Sequence, residues 1–173
     1  MTIPKKLSSS ELIRQIADRG DRKAAWQFFL FFSRFEYALK RGAYLSQGSK
    51  QATPDWDKFA SDHNDVFELL VDQRLADAIL YFRVSPPRKQ VRKDRRLSWS
   101  DPYVYTNGPL LVWLLTAIRI VRNNLFHGGK FPGIPFHDPS RNSELIENAI
   151  VILSHALALN ADIEGLFGEG TEL

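Results

Sequence analysis

An arginine and a histidine stand five positions apart in Arg122-Asn123-Asn124-Leu125-Phe126-His127, and Gly128-Gly129 follows at once. A guanidinium is a permanent cation, and an imidazole exchanges protons near neutral pH. Side by side they form a minimal kit for cleaving a phosphodiester without a metal: one moves protons while the other stabilises developing charge. The pair closes an apolar segment, Leu110 to His127, and the two glycines then stop the helix. Positions 111, 115, 118, 122 and 125 share one helical stripe, so Arg122 is expected to project from an apolar face among Leu111, Leu115, Ile118 and Leu125. An earlier stripe of Ala25, Phe29, Phe32, Glu36 and Leu39 places a carboxylate in the same awkward position. Either charge is costly to bury alone. The economical reading is that they meet across two packed helices, with Glu36 fixing the Arg122 guanidinium. An ion pair of this kind also serves simply to set helix register.

His127 lies one turn beyond Asn123, so these two share a face. The helix dipole favours an imidazolium at this end. Asn123 then has two readings beyond a backbone hydrogen bond: it orients the imidazole or touches a phosphate. The other histidines, His63, His137 and His155, are scattered, with no metal-ligand spacing among themselves or with carboxylates, and cysteine is absent. No metal and no cofactor is expected. The chain has no Gly-rich phosphate loop, no nucleophile elbow and no dinucleotide fingerprint.

A second chemical feature precedes this helix. Arg88, Lys89, Arg92, Lys93, Arg95 and Arg96 place six cations in nine positions, opposed only by Asp94. Such a run is either a solvated loop or a basic arm that holds nucleic-acid phosphates by charge. Net charge is only +3 over 173 residues, so its distribution matters more than its total. Trp99, Tyr103 and Tyr105 follow, and serve either to stack on bases or to pack the loop down.

The elements that position these residues read as helices. Ser8 to Gly20 gives a short first helix, and Asp21 caps the next, which runs through Trp26, Phe29, Phe32 and Phe35 to Leu39, with Gly42 beyond its end. Thr53-Pro54 is a helix start, with a break expected near His63-Asn64 and apolar spacing resuming to Phe82. The stretch 84–108 has no helical period and reads as a long basic and aromatic loop or a short irregular β excursion. Asp138-Pro139 opens the last long helix, and the tail 165–173 reads as frayed. The expectation is an all-α chain. One domain spans 1–173, with a core at about 21–160, built as an antiparallel bundle of four main helices in two pairs separated by the loop. No apolar run is long enough to span a bilayer, and the first ten residues carry no secretory pattern. With no cysteine, this fits a cytoplasmic protein.

The run Arg122 to His127 resembles the R-x-x-x-x-H signature of the HEPN superfamily, whose members commonly carry a polar residue directly after the arginine, as Asn123 stands here. Phe31 to Lys40 is similar to the first bundle helix of some members, and the likeness spans roughly 24–158. The superfamily includes metal-independent endoribonucleases found as toxins of toxin–antitoxin pairs and in antiviral defence. The resemblance implies a symmetric homodimer with two motifs facing across one cleft. His127 would serve as acid or base, Arg122 would hold the scissile phosphate, and Asn123 would position one or the other. RNA would be the partner and a 2′,3′-cyclic phosphate the product, and any antitoxin would be a separate protein. The alternative is a non-catalytic dimer of the same kind that binds nucleotide, RNA or a partner protein.

Overall fold

A computed structural model describes residues 22–48, 50–126 and 139–169. His127, His137, the expected helix from Ser8, the Asp21 and Asp138 caps and the glycine stop lie outside the described residues. The described chain is mostly helical, with one small two-stranded sheet. The helices are α1 (Arg22–Arg41), α2 (Trp56–Leu69), α3 (Gln73–Val84), α4 (Leu110–Phe126), α5 (Pro139–Leu157) and α6 (Ala161–Gly168), and the strands are β1 (Arg88–Lys93) and β2 (Arg96–Pro102).

Helix α4 forms the centre. Leu110, Leu111, Trp113, Leu114, Leu115, Ala117, Ile118, Ile120 and Val121 are all buried, so its first three turns are covered on nearly every side. Helix α2 packs on α4, α3 on α5, and α1 on both α5 and α6. The buried stripe of α1 is Ala24, Phe28, Phe32, Phe35, Ala38 and Leu39. The expected row of Ala25, Phe29 and Glu36 therefore borders this core rather than filling it. Phe32, Phe35, Trp56 and Phe59 pack ring to ring at centroid distances of 5.1 to 5.4 Å, tying α1 to α2.

Two boundaries differ from the sequence reading. Helix α2 is capped by Asp55, whose carboxylate accepts from the Lys58 N–H at 2.9 Å, rather than by Thr53. Thr53 and Pro54 instead pair with the strand-like segment at Leu45–Ser46. Nor does the chain break at His63-Asn64. The His63 Nδ1 bonds the Phe59 carbonyl one turn back, and the Asn64 Oδ1 accepts from the Leu111 N–H at 3.0 Å. That bond satisfies one of the orphan donors at the start of α4. The break falls after Leu69, where Asp72 caps α3 by accepting from the Leu75 N–H at 2.7 Å.

The segment 84–108, expected as a long loop or a short irregular β excursion, is the latter at its centre: an antiparallel hairpin, so the chain is not purely α. Lys93 pairs with Arg96 across the two-residue turn Asp94-Arg95, both of which have positive φ (49° and 63°). This is the turn geometry that matches strand twist. Sequence alternation hides the hairpin because its outward residues are nearly all cationic. Of the tail expected to fray, 165–173, Gly165 to Gly168 complete α6, and 170–173 lie outside the described residues. Arg34 holds that end, donating to the Phe167 carbonyl at 2.6 Å and the Glu169 carbonyl at 2.5 Å. Among the described residues no single helix is long and apolar enough to cross a membrane, and the apolar pair from Arg141 to Gly168 is bent by 118°.

Candidate functional site

Arg122 sits in the last turn of α4, where apolar covering gives way to solvent. Its guanidinium stands over the Phe32 ring at 5.5 Å and beside the Phe126 ring at 6.0 Å. These aromatic faces attract the cation and hold its plane. One N–H donates to the Asn123 Oδ1 at 3.1 Å. The Glu36 carboxylate of α1 lies 3.9 Å from the other terminal nitrogen. The structure thus brings Arg122, Asn123 and Glu36 together, as their spacing suggested. Glu36 stands beyond hydrogen-bond distance, so among the described residues the fork is oriented without being saturated. Arg122 is 36% exposed and Glu36 27%, so the group faces water at the edge of the core. His127 follows Phe126, the last residue of α4, and lies outside the described residues.

The six cations of the basic run lie on the hairpin, and all are exposed. Arg92, Lys93, Arg95 and Arg96 crowd its far end, with Lys93 directly opposite Arg96. Like charges in that position repel. The base is anchored on α4 by a residue the sequence reading passed over. Asn124, the buried polar side chain among the described residues, donates to the Arg88 carbonyl at 2.7 Å. Pro102 faces Arg88 across the sheet and has no N–H to offer. One helical turn therefore carries both the guanidinium and the hairpin's anchor.

Tyr103 and Tyr105 pack the hairpin's return against the core. Tyr105 lies 5.2 Å from the Trp113 ring and donates to the Gly108 carbonyl, while the Trp113 indole donates to the Tyr103 carbonyl at 3.1 Å. Trp99 is half-buried opposite Gln90. His63 stacks on Phe59, and His155 joins the Val151 carbonyl to the Asp72 carboxylate at 3.2 Å, so both have structural partners. The Leu75 N–H, and then His155, hold the Asp72 carboxyl below its ordinary range. Among the described residues no three His, Cys, Asp or Glu side chains converge as a metal site.

Beside this corner lies a cleft of about 480 Å³ between α4 and β1, lined by Lys89, Gln90, Thr116, Arg119, Ile120, Asn123 and Asn124. Asn123 thus faces both the cleft and the guanidinium. Arg119 is held by Asp57 of α2 at 3.1 Å. Position i to i+4 spacing of 116, 119, 120 and 123 on a cationic helix end was the signal available for this face.

No family model, curated protein or solved structure matches the chain. The case for function therefore rests on this geometry and on the motif.

Proposed function

We propose that the chain is a HEPN-like endoribonuclease that works as a homodimer and needs no metal. In this reading Arg122 holds the scissile phosphate and stabilises its extra charge in the transition state. His127 moves the protons of the attacking 2′-hydroxyl and the leaving 5′-oxygen. The 2′-oxygen bonds to phosphorus as the P–O5′ bond breaks, giving a 2′,3′-cyclic phosphate and a 5′-hydroxyl. Asn123 and Glu36 position the guanidinium. The hairpin cations guide the RNA backbone. The helices around α4 would form the bundle of four expected for such a fold, and the biological setting would be a toxin with a separate antitoxin, or antiviral defence.

The observation that carries this reading is the Arg122 guanidinium, oriented by Asn123, Glu36 and two aromatic rings yet open to solvent, in the same helical turn as the anchor of a basic hairpin. Catalysis by charge stabilisation needs a cation held in place before the reaction, because no reorganisation is then required. The surface beside it favours self-association. Trp26 stacks on Phe29 at 5.4 Å, Phe29 meets Phe126 at 5.2 Å, and all three remain exposed together with Leu30. Contiguous apolar surface of this kind marks a contact face. Pairing there would set two Arg122 side chains near one seam.

The test is cleavage of single-stranded RNA in EDTA by the parent, Arg122→Ala and His127→Ala chains, with the product ends identified. Loss of cleavage in both variants is expected. Equal cleavage by all three would end the proposal. Saturable RNA binding without turnover would favour the non-catalytic alternative, which the nearby Glu36 carboxylate supports by offsetting part of the Arg122 charge.

A further inference from the structure

The cleft between α4 and β1 has the makings of a ligand site that neither the motif nor the basic hairpin explains. Its volume of about 480 Å³ is that of a pocket for a small organic molecule, and much more than a lone phosphate fills. Two cations line it, Lys89 and Arg119, and no carboxylate does. Asp57 reaches Arg119 from outside that lining and orients its guanidinium. The rest of the lining is the chemistry that reads a base edge: the amides of Gln90 and Asn123, the Thr116 hydroxyl, and Ile120 as an apolar wall.

Gln90 carries the strongest sign of a missing partner. Its Nε2 is buried and has no hydrogen-bond acceptor. A buried amide left unsatisfied is costly, and native proteins keep few of them. A turn of the Gln90 side chain towards the cleft it lines would let a carbonyl or ring nitrogen of a seated ligand supply the acceptor.

We propose that this cleft is a mononucleotide-binding site, in which Lys89 and Arg119 hold a phosphate while Gln90, Asn123 and Thr116 read the base against Ile120. The nucleotide is either one unit of an RNA strand or a free nucleoside phosphate. If it is a unit of RNA, the site selects the base beside the scissile bond, because Asn123 touches both the cleft and Arg122. The proposal rests on the RNA-acting reading for that role, but the site itself is tested separately.

The experiment is calorimetric titration of the full chain with the four nucleoside 5′-monophosphates, the matching nucleosides and inorganic phosphate. At least one monophosphate is expected to saturate one site per chain, with its nucleoside and inorganic phosphate each about tenfold weaker or worse. Arg119→Met and Gln90→Leu should each weaken binding by about tenfold. Gln90→Leu removes the unsatisfied amide, so the fold should tolerate it. Nucleotide binding by the parent chain without RNA cleavage, or cleavage without nucleotide binding, separates the two proposals. Displacement of the bound nucleotide by a short RNA assigns the site to the strand, and failure of displacement assigns it to free nucleotide. The proposal is overturned if no monophosphate saturates at about 10 mM. It is equally overturned if inorganic phosphate binds as tightly as the nucleotide, or if both cleft variants bind as the parent does.

Discussion

Glu36→Gln separates a positioning carboxylate from a structural one. The substitution keeps the shape of the side chain and removes its charge. At 3.9 Å, two unit charges attract by about 4 kcal/mol at an effective dielectric near 20, and by about 1 kcal/mol in water. Roughly a third of each side chain is exposed, so solvent screening brings the net contribution to about 0–1 kcal/mol. For a chain of this length that is a fall in midpoint of about 2–4 °C at most. Catalysis is far more sensitive, because a guanidinium displaced by about 1 Å costs up to ~100-fold in rate. Glu36→Gln should therefore melt within a few degrees of the parent while kcat on a fluorogenic RNA drops about tenfold or more, with KM little changed. Thermal melts and initial rates in EDTA, measured on the same preparations, decide the matter. A variant that cleaves like the parent would show that Glu36 serves packing alone, and the link from α1 to the chemistry would be lost.

Asn124→Leu should destabilise by about 2–3 kcal/mol, the sum of a lost hydrogen bond and a carbonyl deprived of its donor. Amide exchange across residues 89–101 should accelerate, and unchanged protection there would refute the anchor. Arg95 occupies left-handed backbone at φ 63°. Arg95→Gly should therefore stabilise by up to about 1 kcal/mol in urea titrations and lower the salt dependence of RNA binding by about 0.7 in log–log slope. A loss of stability would contradict the turn assignment. The Tyr81 phenol is pushed up to about 12, first by burial and then by Glu144, from an ordinary value of 10.0. Its folded pKa is raised, so its contribution is complete below pH 10 and disappears as pH rises towards 12. In Tyr81→Phe, denaturation midpoints measured from pH 9 upward should fall less steeply than in the parent.

Much of the helical content was legible because each long helix buries a stripe at its own period. The row Leu145, Ala149, Ile152 and Ala156 leaves little choice, whereas in α1 the row expected through Ala25, Phe29 and Glu36 lies beside the buried one of Phe28, Phe32, Phe35 and Leu39. The meeting of Arg122 with Glu36 was legible because each interrupts an apolar row. The hairpin was legible only as one of two readings, a loop or a short irregular β excursion, since Arg88 to Arg96 shows no alternation of polarity and its turn lacks the expected glycine. Asn124 was overlooked because its partner is a backbone carbonyl 36 residues away, which has no signature in side-chain spacing. Gln90 and Thr116 were invisible for a similar reason: the cleft exists only once β1 folds back on α4.

The clasp that Arg34 makes on the carbonyls of Phe167 and Glu169 joins residues more than 130 positions apart. Helix α1 therefore emerges from the ribosome with Phe31 and Arg34 waiting for partners that are translated more than 130 residues later. Until α6 arrives to cover them, the nascent chain carries a sticky amphipathic rod ahead of an incomplete body. Glu36, on that same rod, waits likewise for Arg122, which arrives on a helix translated before α6.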